Sequence, residues 1–169
     1  MKAVRNFKII SLLIAILLSS LSFGYFNFGA GFVYGTANSW TLRIGIEDET
    51  FSLNADYLIN NSWNIIGGVY FSTEVGFKVG PFIFGTYNIS ANDFSVIYGP
   101  VIGFTTKQIF AQIGYLTDFT QFQDISKGIF AVLRFYVPDP PGMKMRDKLY
   151  LEGQYYGGNF KIIVGLLEP

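Results

Sequence analysis

The chain has 169 residues, with no histidine, no cysteine, and 12 basic against 12 acidic side chains. These counts exclude histidine triads, zinc or thiol chemistry and disulfide bridges, and the lack of excess positive charge argues against nucleic acid as a partner. We therefore expect neither an enzyme nor a protein that holds a metal or other cofactor.

Residues 1–24 have the composition of a secretory signal peptide. The segment starts with the basic residues Lys2, Arg5 and Lys8, and a short apolar run follows over 9–21. The small residues Ser22 and Gly24 come before the predicted cleavage point. A membrane-spanning helix needs about 20 apolar residues, so an uncleaved anchor is the less favoured alternative. We predict cleavage before Tyr25 and a single domain over 25–169, in which nine basic residues remain against 12 acidic ones.

From residue 25 onward, apolar and polar residues alternate with the period of a β-strand. In 40–47, one phase holds Trp40, Leu42, Ile44 and Ile46, and the other holds Thr41, Arg43, Gly45 and Glu47. The pattern predicts ten antiparallel strands, with eight or twelve as alternatives: 25–35, 40–47, 51–58, 63–71, 74–87, 94–104, 108–116, 128–136, 148–156 and 160–167. Most have 8–11 residues, close to the roughly 9–11 that a tilted strand needs to cross a bilayer. The longer connections 117–127 and 137–147 are predicted to be surface loops, the first with one helical turn.

Two prolines fall inside predicted strands. Pro81 and Pro100 have no N–H to donate to a ladder, so we expect a bulge or a break in the fifth and sixth strands. Both prolines follow a glycine, and the two stretches 80–83 and 99–102 look alike. A faint hairpin repeat and chance both account for that similarity.

Aromatic residues flank alternate turns on the apolar phase. Because alternate turns of an up-and-down barrel lie at the same end, these residues predict a ring at one end, as membrane interfaces favour. Tyr, Trp and Phe are also enriched in the strands of soluble proteins, so a soluble barrel remains the alternative. The predicted aromatic girdle is Tyr34, Trp40, Tyr57, Trp63, Tyr115, Tyr155 and Phe160.

The polar phase carries charges of both signs. In a membrane barrel this phase faces inward, and unpaired charges in a confined lumen are costly, so we expect them to pair across the barrel. Inward glycines, among them Gly29, Gly31, Gly45 and Gly114, leave room for neighbouring rings. A filled lumen is favoured over a narrow pore or a small ligand cavity, because about ten strands enclose little more than side chains. The predicted polar network is Arg43, Glu47, Asp56, Arg134, Glu152 and Lys161.

In this architecture the chain resembles the small bacterial outer-membrane β-barrel proteins as a class. The resemblance implies an outer-membrane location, contact with membrane lipid, and insertion by the outer-membrane assembly machinery. It also implies a structural, adhesive, narrow-permeation or amphiphile-handling role in the envelope. Members of the class often end on an aromatic residue, whereas this chain ends on 166–169, Leu-Leu-Glu-Pro. The alternative is a secreted soluble β-barrel that binds a small apolar ligand, as lipocalins do.

Overall fold

A computed structural model describes residues 24–36, 38–118, 128–138 and 148–168. The predicted signal segment and the greater part of the two long loops, 1–23, 119–127 and 139–147, lie outside the described residues.

The described residues form eleven strands. They are β1 Tyr25–Tyr34, β2 Ser39–Glu47, β3 Phe51–Leu58, β4 Ser62–Val69, β5 Phe71–Ser72, β6 Phe77–Asn88, β7 Asp93–Thr105, β8 Ile109–Tyr115, β9 Ile129–Tyr136, β10 Lys148–Tyr156 and β11 Asn159–Glu168. The strands alternate in direction along the chain, except that β4 and β5 run the same way. The residues that the structure describes contain no helix long and apolar enough to cross a membrane.

The sheet closes on itself as a barrel. Strands that are neighbours in sequence pair antiparallel, except β4 and β5, and β1 pairs with β11 from Phe26 opposite Glu168 to Tyr34 opposite Phe160. Both β4 and β5 pair with β6, so they are two parts of one strand position interrupted at Tyr70. The barrel therefore has ten strand positions, which confirms the predicted all-β, antiparallel, up-and-down barrel of ten strands.

The two ends of the barrel differ in what they carry. The first strand, β1, begins at the same end of the barrel at which the last strand, β11, finishes. The turns 48–50, 73–76 and 106–108 lie at this end too. We call this the terminus end. The turns 35–38, 59–61, 89–92 and 157–158 lie at the opposite end, which we call the far end.

The fifth predicted strand, 74–87, starts later than expected. The chain turns over 73–76, where the N–H of Gly76 donates to the carbonyl of Thr73 at 2.9 Å, and β6 begins at Phe77. Gly76 has φ of +87°, a left-handed conformation that suits glycine and ends the extended backbone. This glycine is the local signal that separates the turn from the strand.

The prediction of a bulge or a break within the strands that contain the two prolines is wrong. Both β6 and β7 are continuous, and Pro81 lies directly opposite Pro100 in their ladder. Each proline instead interrupts the ladder on its other side. The pairing of β6 skips Val69 and Tyr70 opposite Gly80 and Pro81. The β7–β8 ladder ends with Val101 opposite Gly114, and pairing resumes at the isolated bridge between Tyr98 and Thr117. A missing N–H thus breaks the ladder with the neighbouring strand and leaves the proline's own strand extended.

Candidate functional site

The outer wall of the barrel is apolar on every strand. The outward positions of the described strands carry only aliphatic and aromatic side chains, glycine and proline, except for Glu168 at the end of β11. Leu42, Ile113 and Val164, near the middle of the wall, are 55%, 53% and 53% exposed. Soluble monomers rarely expose contiguous apolar patches beyond a few hundred Å². The wall therefore has the composition of a surface that contacts an apolar medium.

Aromatic side chains form a belt on this wall at the far end. Trp63 lies opposite both Tyr57 and Tyr87, and Phe160 lies opposite both Tyr34 and Tyr155. The rings of Tyr57 and Trp63 are 5.0 Å apart. All seven residues of the predicted girdle lie on this belt, together with Tyr87 and Phe94, which flank a further alternate turn in the sequence. At the terminus end, the outward aromatic residues of the described strands are all phenylalanines: Phe26, Phe28, Phe51, Phe71, Phe77, Phe104 and Phe135.

The six predicted lumen charges lie inside the barrel and form one chain of ion pairs. The chain alternates in sign and runs Lys161–Asp56–Arg43–Glu152–Arg134–Glu47. Its N–O distances are 2.5 Å for the first pair and 2.6 Å for each of the other four. Each arginine binds a carboxylate of its own through two nitrogens: Arg43 binds Asp56, and Arg134 binds Glu47. Planar two-point contacts of this kind are among the stronger charge-assisted hydrogen bonds.

Neutral polar groups complete the network. The hydroxyl of Tyr150 donates to Asn27 Oδ1 at 2.5 Å, and Asn27 Nδ2 donates to Asn54 Oδ1 at 2.7 Å and to Glu47. The guanidinium of Arg134 stacks 4.3 Å from the centre of the Tyr150 ring. The charges are therefore both paired and hydrogen-bonded, which is the condition under which buried ions are tolerated.

A glycine makes room for the largest side chain in this region. A Cβ added at Gly165 on β11 would lie 2.3 Å from two atoms of Tyr150 on the neighbouring strand. Tyr150 is 1% exposed and lies directly opposite Gly165 in the ladder. The ring thus occupies the space that this glycine leaves free. The four inward glycines named from the sequence differ, because the atom nearest to an added Cβ belongs to Ile163 at Gly29, to the backbone of Ile162 at Gly31, to Asn54 at Gly45 and to Val101 at Gly114.

A second region of the lumen is apolar and lies mainly on the side formed by β4 and β6 to β9, so that it fills the far half together with the Lys161–Asp56 pair. The rings of Phe84 on β6 and Tyr156 on β10 meet across the lumen at 4.6 Å, and those of Phe82 and Phe130 meet at 4.7 Å. We call this cluster the apolar plug. Its buried members are Ile66, Tyr70, Phe82, Phe84, Val101, Leu116, Phe130 and Val132.

A cavity of about 750 Å³ lies between the plug, the network and the terminus end. Residues of all three terminus-end turns line its mouth, and Phe82, Phe130 and Gln154 line its floor. None of the far-end turns that the structure describes contributes to the lining. The cavity is therefore a cup that opens at the terminus end, so the lumen is filled in its far half and only partly filled in its near half.

Three polar residues that line the cup, Tyr70, Lys78 and Gln112, were not predicted as site residues from the sequence. Tyr70 donates a hydrogen bond to Gln112 Oε1 across the lumen at 3.3 Å and also contacts Ser52 Oγ at 3.0 Å. Lys78 lies 5.4 Å from the centre of the Tyr70 ring. Lys78 and Gln112 share the inward phase of the predicted network, whereas Tyr70 sits at the interruption between β4 and β5, which alternation alone does not reveal.

The described residues contain no group of three or more His, Cys, Asp and Glu side chains placed to hold a metal ion. Four charged residues of the network line the cup, namely Arg43, Glu47, Arg134 and Glu152, while Asp56 and Lys161 lie outside its lining.

Comparison of the chain with protein-family models and with curated proteins gives no match.

Proposed function

We propose that the chain is an integral β-barrel of a bacterial outer membrane with a structural or adhesive role in the envelope. Membrane lipid is then its permanent partner, and the outer-membrane assembly machinery inserts it. In the orientation usual for this class, the terminus end faces the periplasm and the far-end turns face outward.

The observation that carries the proposal is the inversion of polarity between the two faces of the barrel. A soluble barrel buries apolar side chains inside and exposes polar ones, whereas lipid reverses the requirement. Here six charged side chains are held inside by ion pairs, and the outward positions of the described strands carry one charge, Glu168 at the terminus end of β11. The belt that contains Trp40 and Trp63 matches the amphipathic aromatic residues that favour a membrane interface.

A closed lumen favours structure or adhesion over permeation. The apolar plug lies across the far half, and the network joins β2 to β9 and β10 across the near half. A lumen selective for one class of ion would carry one sign of charge, whereas the network alternates three cations with three anions. Narrow permeation is therefore the less supported role. In a closed barrel, contact with partners falls to the turns and loops.

A second candidate function is a secreted soluble barrel that binds a small apolar ligand. The cup favours it, because about 750 Å³ with an aromatic floor suits a small molecule. The outer wall opposes it, since the free energy of exposing that much apolar surface to water would favour aggregation.

Fractionation of cells that express the full chain tests the proposal. We expect the protein in the membrane pellet after alkaline carbonate washing, released by detergent, and floating with lipid in a density gradient. Flotation is the control that separates insertion from aggregation. Recovery of folded protein in the aqueous fraction would contradict the membrane proposal and support the soluble barrel.

We also propose that the barrel has no enzymatic activity. The carboxylates at the cup floor are held by guanidinium groups, as Glu152 is by Arg43 and Arg134, so they are poor candidates for general acid or base. Turnover of lipid or peptide substrates that is lost in Glu152→Gln would contradict this.

A further inference from the structure

The near wall of the cup contains a gap between two polar side chains. Lys78 on β6 and Gln112 on β8 are both opposite Gly103 on β7, and all three positions face inward. Because Gly103 has no side chain, no side chain stands between Lys78 and Gln112 at this level of the wall, and this is the position that we call the gap. Lys78 and Gln112 both line the cup.

Both flanking groups have unused capacity to donate hydrogen bonds. Gln112 is 5% exposed, and its Nε2 has no hydrogen-bond partner, while its Oε1 accepts the bond from Tyr70. Lys78 is 8% exposed and has no ion pair among the described residues. A buried donor without an acceptor is costly, so an acceptor supplied by a ligand would be favoured here.

The carboxylates nearest the gap are committed elsewhere. Glu47 is bound by Arg134, and Asp48 accepts hydrogen bonds from the backbone N–H groups of Thr50 and Phe51 in its own turn. Glu49 and Glu74 are exposed at the rim. Lys78 is therefore the one of these buried charges that the described residues leave without a direct counter-charge.

The cup becomes apolar deeper inside. Phe82 lies four residues beyond Lys78 on β6, toward the far end, and its ring stacks on Phe130. Ile66 and Val132 complete this floor. A molecule that enters from the terminus end thus meets donors first and an apolar floor second.

We propose that the cup binds a single-chain amphiphile with an anionic head, with a carboxylate held by Lys78 and Gln112 and its alkyl chain against Phe82 and Phe130. About 750 Å³ is within the range of small-molecule sites, roughly 300–1,000 Å³. This inference goes beyond the proposed function and does not rest on it, since the cup is the same whether the outer wall meets lipid or water.

Titration of octanoate into the purified mature protein held in amphipathic polymer tests the proposal by calorimetry. Octanol, which has the same chain length and no charge, and polymer without protein are the reference titrations. Lys78→Met removes the charge at the gap, and Gly103→Val fills the gap. Lys107→Met is the comparison variant, because it makes the same change on an exposed turn at the mouth of the cup, away from the gap.

We expect saturable octanoate binding that exceeds octanol binding. Lys78→Met should weaken it about tenfold or more, as expected for loss of a charge-assisted contact, and Gly103→Val should also weaken it. Lys107→Met should weaken octanoate binding much less than Lys78→Met, because Lys107 is exposed at the mouth and does not lie beside the gap. Equal binding of octanoate and octanol, equal effects of the two lysine variants, or no heat above the polymer reference would overturn the proposal. Fractionation has a separate readout, so failure of the membrane proposal and failure of this one are distinguishable.

Discussion

Arg134 on β9 and Glu47 on β2 are separated around the barrel by β10, β11 and β1, yet their side chains meet at 2.6 Å across the lumen. The pair connects opposite walls in the near half of the barrel, where the cup leaves fewer apolar contacts. Arg134 also binds Glu152 and stacks on Tyr150, so its removal would leave two carboxylates undercompensated.

Arg134→Met is expected to lower the free energy of unfolding by about 3–5 kcal/mol, because it leaves buried charge unpaired. Urea unfolding of the protein refolded in lipid vesicles measures this. Lys107→Met, on an exposed turn, should change stability by no more than about 0.5 kcal/mol. Adding Glu47→Gln to Arg134→Met should cost less than the sum of the two single changes. Strict additivity would contradict a direct coupling between the two residues.

The contact between Tyr150 and Gly165 gives a second stability prediction. Gly165→Ala places a Cβ 2.3 Å from the Tyr150 ring, so it should destabilise the barrel by about 1–3 kcal/mol through overpacking. Gly153→Ala is the matched control, since its nearest contact is an ordinary 3.4 Å to Phe160. Tyr150→Leu should partly rescue Gly165→Ala. The same unfolding assay applies, and equal effects at the two glycines would argue against this packing.

The sequence could predict which residues face inward, but not which of them meet. Alternation along each strand places Arg43, Asp56 and Glu152 in the lumen, because successive side chains point to opposite faces. The pairing of Arg43 on β2 with Glu152 on β10 depends on strand tilt and on closure between β1 and β11, and neither leaves a local mark in the sequence. The cup is also a product of this closure.

The two Gly-Pro stretches, 80–83 and 99–102, also have a spatial relation that the sequence alone could not predict. Their resemblance was visible in the sequence, but their relation was not, because Pro81 and Pro100 face each other only in the β6–β7 register. An added Cβ at Gly80 would lie 1.8 Å from the carbonyl oxygen of Val69, and one at Gly99 would lie 1.9 Å from that of Tyr115. Each glycine thus permits close approach of the neighbouring strand where the proline supplies no hydrogen bond.

Conductance tests the closed lumen. We expect no steady, reproducible conductance from the purified mature protein in a planar bilayer, because the apolar plug fills the far half. The double variant Phe84→Ala and Tyr156→Ala removes one pair of stacked rings and should increase the frequency of openings. Steady conductance of the parent protein that changes with Arg134 or Glu152 substitutions would instead indicate a narrow pore.

Charge on the outer wall should be poorly tolerated. Ile44→Arg, and likewise Leu42→Arg or Val164→Arg, should cost about 2–4 kcal/mol, as a cation does near the bilayer midplane. Ile89→Arg, in a far-end turn, is the matched control and should be close to neutral. Unfolding in lipid vesicles measures both changes. Full tolerance at all three wall positions would place this face outside lipid.

Quenching of tryptophan fluorescence by brominated lipid tests the membrane proposal most directly. The chain has two tryptophans, Trp40 and Trp63, and both lie on the outward belt at the far end. In vesicles, bromine near the headgroups should quench their emission more strongly than bromine near the acyl-chain ends. In a variant with both tryptophans replaced by phenylalanine and Ile44→Trp added, the order should reverse. Emission unaffected by any brominated lipid, from protein that stays in solution, would contradict the account.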